Sequence, residues 1–381
     1  MTVASAPSPA RTVVLLAEPG AGRARRLALA LTGLGVAPPA DDEAVPVADA
    51  AEEPAGGSEQ AATENAPGET DGDDAETASA APADVIVALN DSVLDAAGVR
   101  GDDARPRAWA DVAAAVTPET EASVRAWVEH ATASADAVLA SERKLHWLLP
   151  VWVRACEEVG ARAAVVLAVR RPDLSAEAQV GAPPAGRRGD IARAAAWLNQ
   201  VLFTERSVRD LPVVVVTADE VADDWVAATA RIGDALDLAA IRDAPAMAVR
   251  STQRELDAAS GAPGEPGHRV ALPPRLRDQV DGVWALLTRL AEGSKDDELA
   301  EIRAGFDAAR TAYVDYYAEA EGVARSSLRA VSGRPGAAAP TPEPAAASAA
   351  AAVPAEPAEP ASAPAQPPER ESAPRRSWWR R

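Results

Sequence analysis

The stretch from Val165 to Gln179 constrains the fold more than any other part of the chain. It opens with an apolar run, VVLAV, and continues directly into Arg170, Arg171 and Pro172. A short continuous apolar run is typical of a strand that is buried on both faces, and the proline predicts a turn. Open α/β sheets bind ligands beyond the carboxyl ends of their strands. The sequence therefore predicts that Arg170 faces a cleft, where its fork of permanently charged donors suits a phosphate.

A second strand and turn lie near the N-terminus. The run from Thr12 to Ala17 predicts a strand, and Gly20, Ala21 and Gly22 separate it from a helical pattern at 23–34. Strand, glycine-containing turn and helix is the layout of a phosphate cradle, because backbone N–H groups face the turn. It is not a Walker A loop, since no Gly-Lys-Ser/Thr follows. A tight turn that begins an ordinary crossover helix explains these residues equally well.

Further apolar runs and helical patterns alternate along the chain. The other predicted strands lie near 85–89, 137–140 and 212–216, with the run at 137–140 expected in a central position. Predicted helices lie at 91–97, 117–130, 191–205 and 221–236. The connections are short enough to require right-handed crossovers. We therefore predict a three-layer α/β domain with a mainly parallel sheet.

Composition divides the chain further. The 381 residues include 32 Pro and 24 Gly, too many for a chain that folds throughout. Residues 41–76 contain 13 acidic side chains, and no Lys or Arg occurs between Arg26 and Arg100. Such a segment has too few large apolar residues to offset the entropy of ordering, so we predict disorder there. The predicted parts are the first strand, loop and helix at 1–39, a disordered acidic insertion at 40–83, the remainder of the α/β domain at 84–250, a helical extension at 251–330 and a disordered Ala/Pro-rich tail at 331–381.

Charge and cysteine usage limit the partners and the compartment. The formal net charge is −20, and we expect no nucleic-acid partner, although most of the imbalance lies in the acidic insertion and basic sites elsewhere still count. Cys156 is the only cysteine, which excludes an intramolecular disulfide and a thiolate zinc site and fits a reducing compartment. No apolar run approaches the length of a membrane span, and no signal-like stretch opens the chain. We expect a cytoplasmic protein.

The C-terminal residues 375–381 place four Arg around two Trp. This pattern is typical of a peripheral anchor to an anionic membrane surface or of a contact with an acidic partner. A terminal segment without function explains it about equally well.

Three polar side chains have structural and functional interpretations. His146 lies among large apolar residues, which favours a core histidine over a catalyst. Cys156 lies in a predicted helix, where a small buried residue is favoured over a nucleophile. Asn199 is a candidate polar ligand, with an exposed or capping amide as the equal alternative.

The order of these features resembles the actinobacterial branch of the sulfotransferase family, from about Thr12 to Leu290 with the acidic insertion as a break. The most specific parts are Asp103 to Trp109, Lys144 to Trp152, the turn at Arg170, Ala195 to Asn199 with Thr204 to Arg206, and Asp224-Trp225. The resemblance implies a fold similar to P-loop kinases. It also implies transfer of a sulfuryl group from the donor PAPS (3'-phosphoadenosine-5'-phosphosulfate) to a hydroxyl of a glycan or lipid. The implied donor-binding residues are Gly20, Ala21, Gly22, Arg23 and Arg170; no metal ligand is implied and no catalytic residue carries over.

The donor-binding motifs depart from the family pattern. The family's first loop resembles Pro-Arg-Ser-Gly-Thr-Ser, whereas this chain has PGAGRA at 19–24 and lacks the basic residue and the hydroxyl residues at their places. Arg23 is one turn further along. Ala178 stands where the family has a phosphate-binding serine eight residues after Arg170. The family's Lys-Asp-Pro-Arg appears as SERK at 141–144, which keeps an acid and a base.

Two hypotheses follow from this comparison. The first is an active PAPS-dependent sulfotransferase. The alternative is a non-catalytic relative that binds an anion or a protein partner, favoured because each lost hydrogen bond to a charged group costs about 1.5–3 kcal/mol of binding. A third hypothesis, an unrelated P-loop nucleotide hydrolase, lacks both the Lys-Ser/Thr pair and a convincing set of Mg²⁺ ligands.

Overall fold

The computed structural model describes residues 11–20, 24–38, 82–172, 189–259, 272–293 and 296–332. The described residues up to Tyr317 belong to one compact unit, and those from Ala318 onward belong to a second. Residues 40–81 of the predicted acidic insertion and the predicted tail from 333 onward lie outside the described residues. The expectations of disorder and of a C-terminal anchor therefore stay predictions.

A sheet of four parallel strands forms the centre of the first unit. Its strands are β1 (Thr12–Ala17), β2 (Ala137–Ser141), β3 (Arg162–Val169) and β4 (Val213–Thr217), in the order β2-β1-β3-β4. Every residue of β1 is buried. This burial explains why the strand is a continuous apolar run without alternation, as in parallel sheets that are covered on both faces. The α/β class and four of the predicted strands are confirmed.

The run at 137–140 is not central as predicted, because β2 lies at the edge of the sheet. Ala37 covers the outer side of β2 through a parallel bridge to Val138. The N–H of Ala37 donates to the carbonyl of Ala137 at 2.9 Å, and the N–H of Leu139 donates to the carbonyl of Ala37 at 2.8 Å. The unpaired backbone groups of the edge strand are thus partly satisfied by the segment that follows the first helix.

Helices connect and cover the strands. They are α1 (Ala24–Gly33), α2 (Pro82–Ala96), α3 (Ala108–Ala115), α4 (Pro118–Ser134), α5 (Leu145–Val159), α6 (Asp190–Val208), α7 (Ala218–Asp223), α8 (Trp225–Ala235), α9 (Ala239–Arg242), α10 (Ala246–Ala259), α11 (Pro274–Glu292) and α12 (Asp296–Ser332). Val14 and Leu16 of β1 pack in one cluster with residues of α1 and α8. Helices α4 and α5 contact β1 as well.

The predicted strand at 85–89 is wrong, because these residues form part of α2. The run VIVAL suggests a strand only while it is considered alone. The buried residues of the helix are Val85, Ile86, Leu89, Asn90, Val93 and Leu94. Their spacing of three and four residues is that of one helix face. The predicted short helix at 91–97 is the second half of the same element, which ends before Gly98 at φ +61.

The predicted helix at 221–236 is interrupted at Asp224. Thr217 caps α7 through a capping box with Glu220, and Asp224 caps α8 by accepting a hydrogen bond from the N–H of Ala227 at 3.0 Å. A short polar side chain that bonds the backbone competes with helix continuation, and this explains the break. The second helix buries Trp225 against the sheet cluster.

The C-terminal helices are joined to the sheet domain by buried polar contacts. The hydroxyl of Tyr313 on α12 bonds the carbonyls of Ala104 and Ala195 at 2.6 and 2.8 Å. The guanidinium of Arg310 donates to the carbonyl of Leu202 and to Glu205 of α6. The predicted helical extension therefore belongs, as far as Tyr317, to the same compact unit as the sheet.

Candidate functional site

The strand order makes the carboxyl ends of β1 and β3 a topological switch point. From β1 the chain moves to β2, which is its neighbour toward one edge of the sheet. From β3 it moves to β4, which is its neighbour toward the opposite edge. Open parallel sheets bind ligands at such a switch point, outside the carboxyl ends of the strands. Ala17 at the end of β1 pairs in register with Leu167 of β3. The turns after these two strands therefore lie at the same edge of the sheet, and we call this edge the switch-point cleft.

The turn after β1 is tightly enclosed by α6. Gly20 has φ +80, a conformation that favours glycine, and its N–H donates to Oε1 of Gln200 at 2.6 Å. A Cβ at this position would lie 2.2 Å from Cδ1 of Trp197. Of the other predicted donor-binding residues of this turn, Ala21, Gly22 and Arg23 lie outside the described residues. The tight-turn interpretation is thus directly supported at Gly20.

Replacing Gly20 with Ala should lower the free energy of unfolding by about 2–5 kcal/mol, since a left-handed backbone costs about 1–2 kcal/mol and overpacking about 1–3 kcal/mol. Gly160 provides the matched control, because it also has a positive φ, +76, but no atom lies within 4 Å of an added Cβ. Gly160→Ala should show only the backbone cost, about 1–2 kcal/mol. Denaturant unfolding measures both variants. Equal losses would show that Trp197 does not restrict the turn.

The turn after β3 carries two arginines in different settings. Arg170 is the first residue after β3 and is half-buried. Arg171 forms an ion pair with Asp281 of α11, and only 16% of its side chain is exposed. Arg171 is therefore not a simply exposed residue. Its ion pair links the second turn of the cleft to a C-terminal helix.

Two acidic side chains with raised pKa values lie near the carboxyl ends of β1 and β2. Burial raises the pKa of Glu18, and Glu142 adds to the shift, although the N–H of Ala24 and the charge of Arg143 oppose it. Burial also raises the pKa of Glu142. Oε2 of Glu142 accepts hydrogen bonds from Nδ2 of Asn90 at 2.7 Å and from the N–H of Lys144 at 2.8 Å. Buried acids with perturbed pKa values are frequent in active sites.

The sequence did not indicate this acidic pair as a site. The reason is the predicted strand at 85–89. Because these residues belong to α2, the prediction did not place Asn90 on the buried face of a helix. The same helix presents Asp91, which pairs with Nζ of Lys144. Two of the four charged or polar residues at 141–144 are thus held by two consecutive residues of α2. Recognition of the helical spacing over 85–94 would have placed these polar residues opposite β2.

Asn199 has a structural role. Its side chain is fully buried, and its Nδ2 donates to the carbonyls of Asp103 and Arg105 at 2.9 and 3.1 Å. It is therefore neither an exposed nor a capping amide. The segment that it holds is also closed by a bidentate pair, in which Nε and Nη2 of Arg105 donate to Oδ1 and Oδ2 of Asp103. These contacts fix the segment from Asp103 to Arg105 against α6.

His146 and Cys156 are core residues, as predicted from their apolar neighbours. His146 is 1% exposed and its ring lies 6.4 Å from that of Trp109. Burial lowers its pKa to about 3, so the imidazole is neutral at physiological pH. Burial raises the pKa of Cys156 to about 12, which leaves the thiol protonated and unreactive as a nucleophile.

Comparison of the chain with protein-family models, with curated proteins and with solved structures finds no match. None of the described helices combines the length and the apolar character that a membrane crossing requires. Within the described ranges no group of three or more His, Cys, Asp or Glu could hold a metal ion.

Proposed function

We propose that this chain is a sulfotransferase-like protein that binds a phosphate or sulfate ester at the switch-point cleft without transferring the sulfuryl group. The observation that carries the non-catalytic form is the hydrogen bond from the N–H of Gly20 to Gln200. In a phosphate cradle this N–H would instead hold the phosphosulfate group of PAPS. The proposal includes a three-layer, P-loop-like architecture. It identifies Arg170 as the main anion-binding side chain, because that residue follows β3 at the switch point.

The ligand class follows from the chemistry of the turn. A guanidinium at a strand end prefers a dianionic phosphate ester, which it contacts through two parallel N–H donors. The product of the family reaction, adenosine 3',5'-bisphosphate, is the natural probe for such a site. Ala21, Gly22 and Arg23, which also belong to the implied donor-binding set, stay predictions because they lie outside the described residues.

Arg170→Ala should weaken binding of adenosine 3',5'-bisphosphate by about 1.5–3 kcal/mol, the range for a hydrogen bond to a charged group. Arg171→Ala is the control, because Arg171 is engaged with Asp281 and should contribute much less. Calorimetric titration measures both variants, with thermal unfolding to verify that each is folded. Equal losses in the two variants would contradict the assignment of Arg170.

An active transferase is the second candidate, and the pair Glu18 and Glu142 favours it. A carboxylate whose pKa is raised toward neutrality is a better proton acceptor for an attacking hydroxyl than an ordinary one. In this candidate Arg170 would hold the 3'-phosphate of the donor, at a distance from the transferred group. The two candidates differ in one measurement. Incubation with labelled PAPS and panels of glycan and lipid acceptors gives labelled product only if the chain is a transferase.

A proposed contact through residues 375–381 with an anionic membrane surface or an acidic partner remains independent of the cleft. It rests on the Arg and Trp composition of that segment alone. Peripheral association with a membrane is part of this proposal.

A further inference from the structure

Residues 318–329 of α12 present an apolar face that no described part of the chain covers. Every residue of this stretch is exposed, and we call it the exposed end of α12. Val323 and Leu328 are each 67% exposed and are, with Met247, the most exposed large apolar side chains among the described residues. A helical segment of about three turns is marginal in water, because most helical stability comes from the packing of an apolar face. This stretch therefore lacks the packing that usually stabilises a helix.

The side chains of the exposed end of α12 are divided between two faces. Spacing of three and four residues places small and apolar side chains on one face, namely Ala320, Val323, Ala324, Ser327 and Leu328. The four charged side chains lie outside that face, namely Glu319, Glu321, Arg325 and Arg329. Small residues at the centre let a second helix approach closely, since the distance between packed helices depends on the side chains at the contact. Val323 and Leu328 then pack at the two margins of the face.

The order of the charges along the helix indicates which partner fits. The acidic residues Glu319 and Glu321 come first, and the basic residues Arg325 and Arg329 follow. A segment with this reversal of sign is complementary to a second copy of itself that runs in the opposite direction. A parallel second copy would place like charges at the same level, which is unfavourable.

Glu321 and Arg325 give this complementarity a specific contact. Both lie on the side of the apolar face that carries Leu328, and they form an ion pair at 2.6 Å within the single chain. In an antiparallel pair with two-fold symmetry the same margin of both helices meets, so Glu321 of each copy reaches Arg325 of the other. In a parallel pair opposite margins meet, and Glu321 faces the side of Val323 instead.

We propose that two copies of this chain associate through the exposed end of α12 as an antiparallel helix pair. With a two-fold axis beside Ala324, Leu328 of each copy lies against Ala320 of the other. The contact covers about three turns of each helix, so the dimer belongs to the class of small, reversible interfaces. It requires no ligand at the switch-point cleft and goes beyond the proposed anion binding.

Sedimentation velocity of the full-length protein between about 1 μM and about 1 mM tests for this dimer. The weight-average sedimentation coefficient of the wild-type protein should rise with concentration. Leu328→Lys should raise the dissociation constant about tenfold or more, because it places a charge in the apolar face. Met247→Lys is the matched control, since Met247 is 71% exposed on α10, and it should leave self-association unchanged. Both substitutions are at exposed positions, and thermal unfolding verifies that each variant is folded.

Charge reversal tests the antiparallel arrangement. Glu321→Arg and Arg325→Glu should each weaken self-association, because each gives the margin beside Leu328 two charges of the same sign. An equimolar mixture of these two variants should restore association, since a positive margin then meets a negative one. In a parallel pair these margins do not meet, and neither variant would be affected in this way.

A wild-type protein that stays monomeric over this concentration range would overturn the proposal and leave a different protein as the occupant of the face. A dimer that Leu328→Lys and Met247→Lys weaken equally, or that neither weakens, would also overturn it, because the contact would then lie elsewhere. Failure of the mixed charge variants to associate would overturn the antiparallel arrangement.

Discussion

Glu205→Gln should lower the free energy of unfolding by about 3 kcal/mol, the lower part of the range for breaking a buried ion pair. The side chain of Glu205 is 6% exposed and pairs with Arg209 at 2.8 Å and with Arg310 at 3.2 Å. Neutralising the carboxylate leaves two guanidinium groups at a buried junction of α6 and α12. We expect the lower part of the range because Asp307 still contacts both arginines.

Asp307→Asn is the matched control for this experiment. It removes a carboxylate that faces the same two arginines, but its side chain is 52% exposed. Hydrogen bonding to Arg209 lowers the pKa of Asp307 to about 2, yet solvent screening limits what an exposed pair contributes. We expect a loss below about 1 kcal/mol, measured by the same denaturant unfolding. A larger loss for Asp307→Asn than for Glu205→Gln would show that burial does not decide the strength of this network.

His146 should make the stability of the protein fall by about 3 kcal/mol between pH 7 and pH 4. Its pKa is lowered to about 3 by burial, so the folded protein keeps the imidazole neutral over this range. The unfolded chain takes up a proton once the pH falls below about 6.5. Because the unfolded state then binds more protons, stability is present above pH 6.5 and is lost as the pH falls toward 3, by about 1.4 kcal/mol per unit.

The variant His146→Leu isolates this contribution. Glu18 and Glu142 act in the opposite direction, because their raised pKa values let the folded protein bind protons more readily than the unfolded chain as the pH falls. A comparison of the two proteins cancels this background. Denaturant unfolding at several pH values should give a flatter profile for His146→Leu between pH 6.5 and 4. Parallel profiles would mean that His146 does not titrate differently in the two states.

The switch-point cleft joins features that point to different functions. Arg170 and the strand order favour an anion ligand, whereas the Gly20–Gln200 contact removes one donor from the expected cradle. The acidic pair at β1 and β2 would suit proton transfer. Anion binding without sulfuryl transfer is consistent with Arg170 and with the Gly20–Gln200 contact. The assay with labelled PAPS decides whether Glu18 and Glu142 take part in proton transfer.

The sequence by itself determined the elements that depend on neighbouring residues. The buried strands at 12–17 and 213–216 appear as short apolar runs bounded by turns, and the helix that begins after Thr117 appears through its cap and its proline. These signals are local, because burial on both faces and the satisfaction of helix ends each involve a few consecutive residues. The same local view failed at 85–89, where five apolar residues fit a strand and only the longer spacing indicates a helix.

Only the tertiary structure decided which distant groups meet. Gln200 lies 180 residues from Gly20 in sequence, and Asn90 lies 52 residues from Glu142. Their contacts depend on the strand order and on the faces that α6 and α2 turn toward the sheet, neither of which is encoded in a local pattern. A buried N–H requires an acceptor, but the sequence does not say which residue supplies it. In sequence the first turn fitted a phosphate cradle and a tight turn equally well, and the packing of α6 gave its Gly20 N–H an acceptor from within the chain.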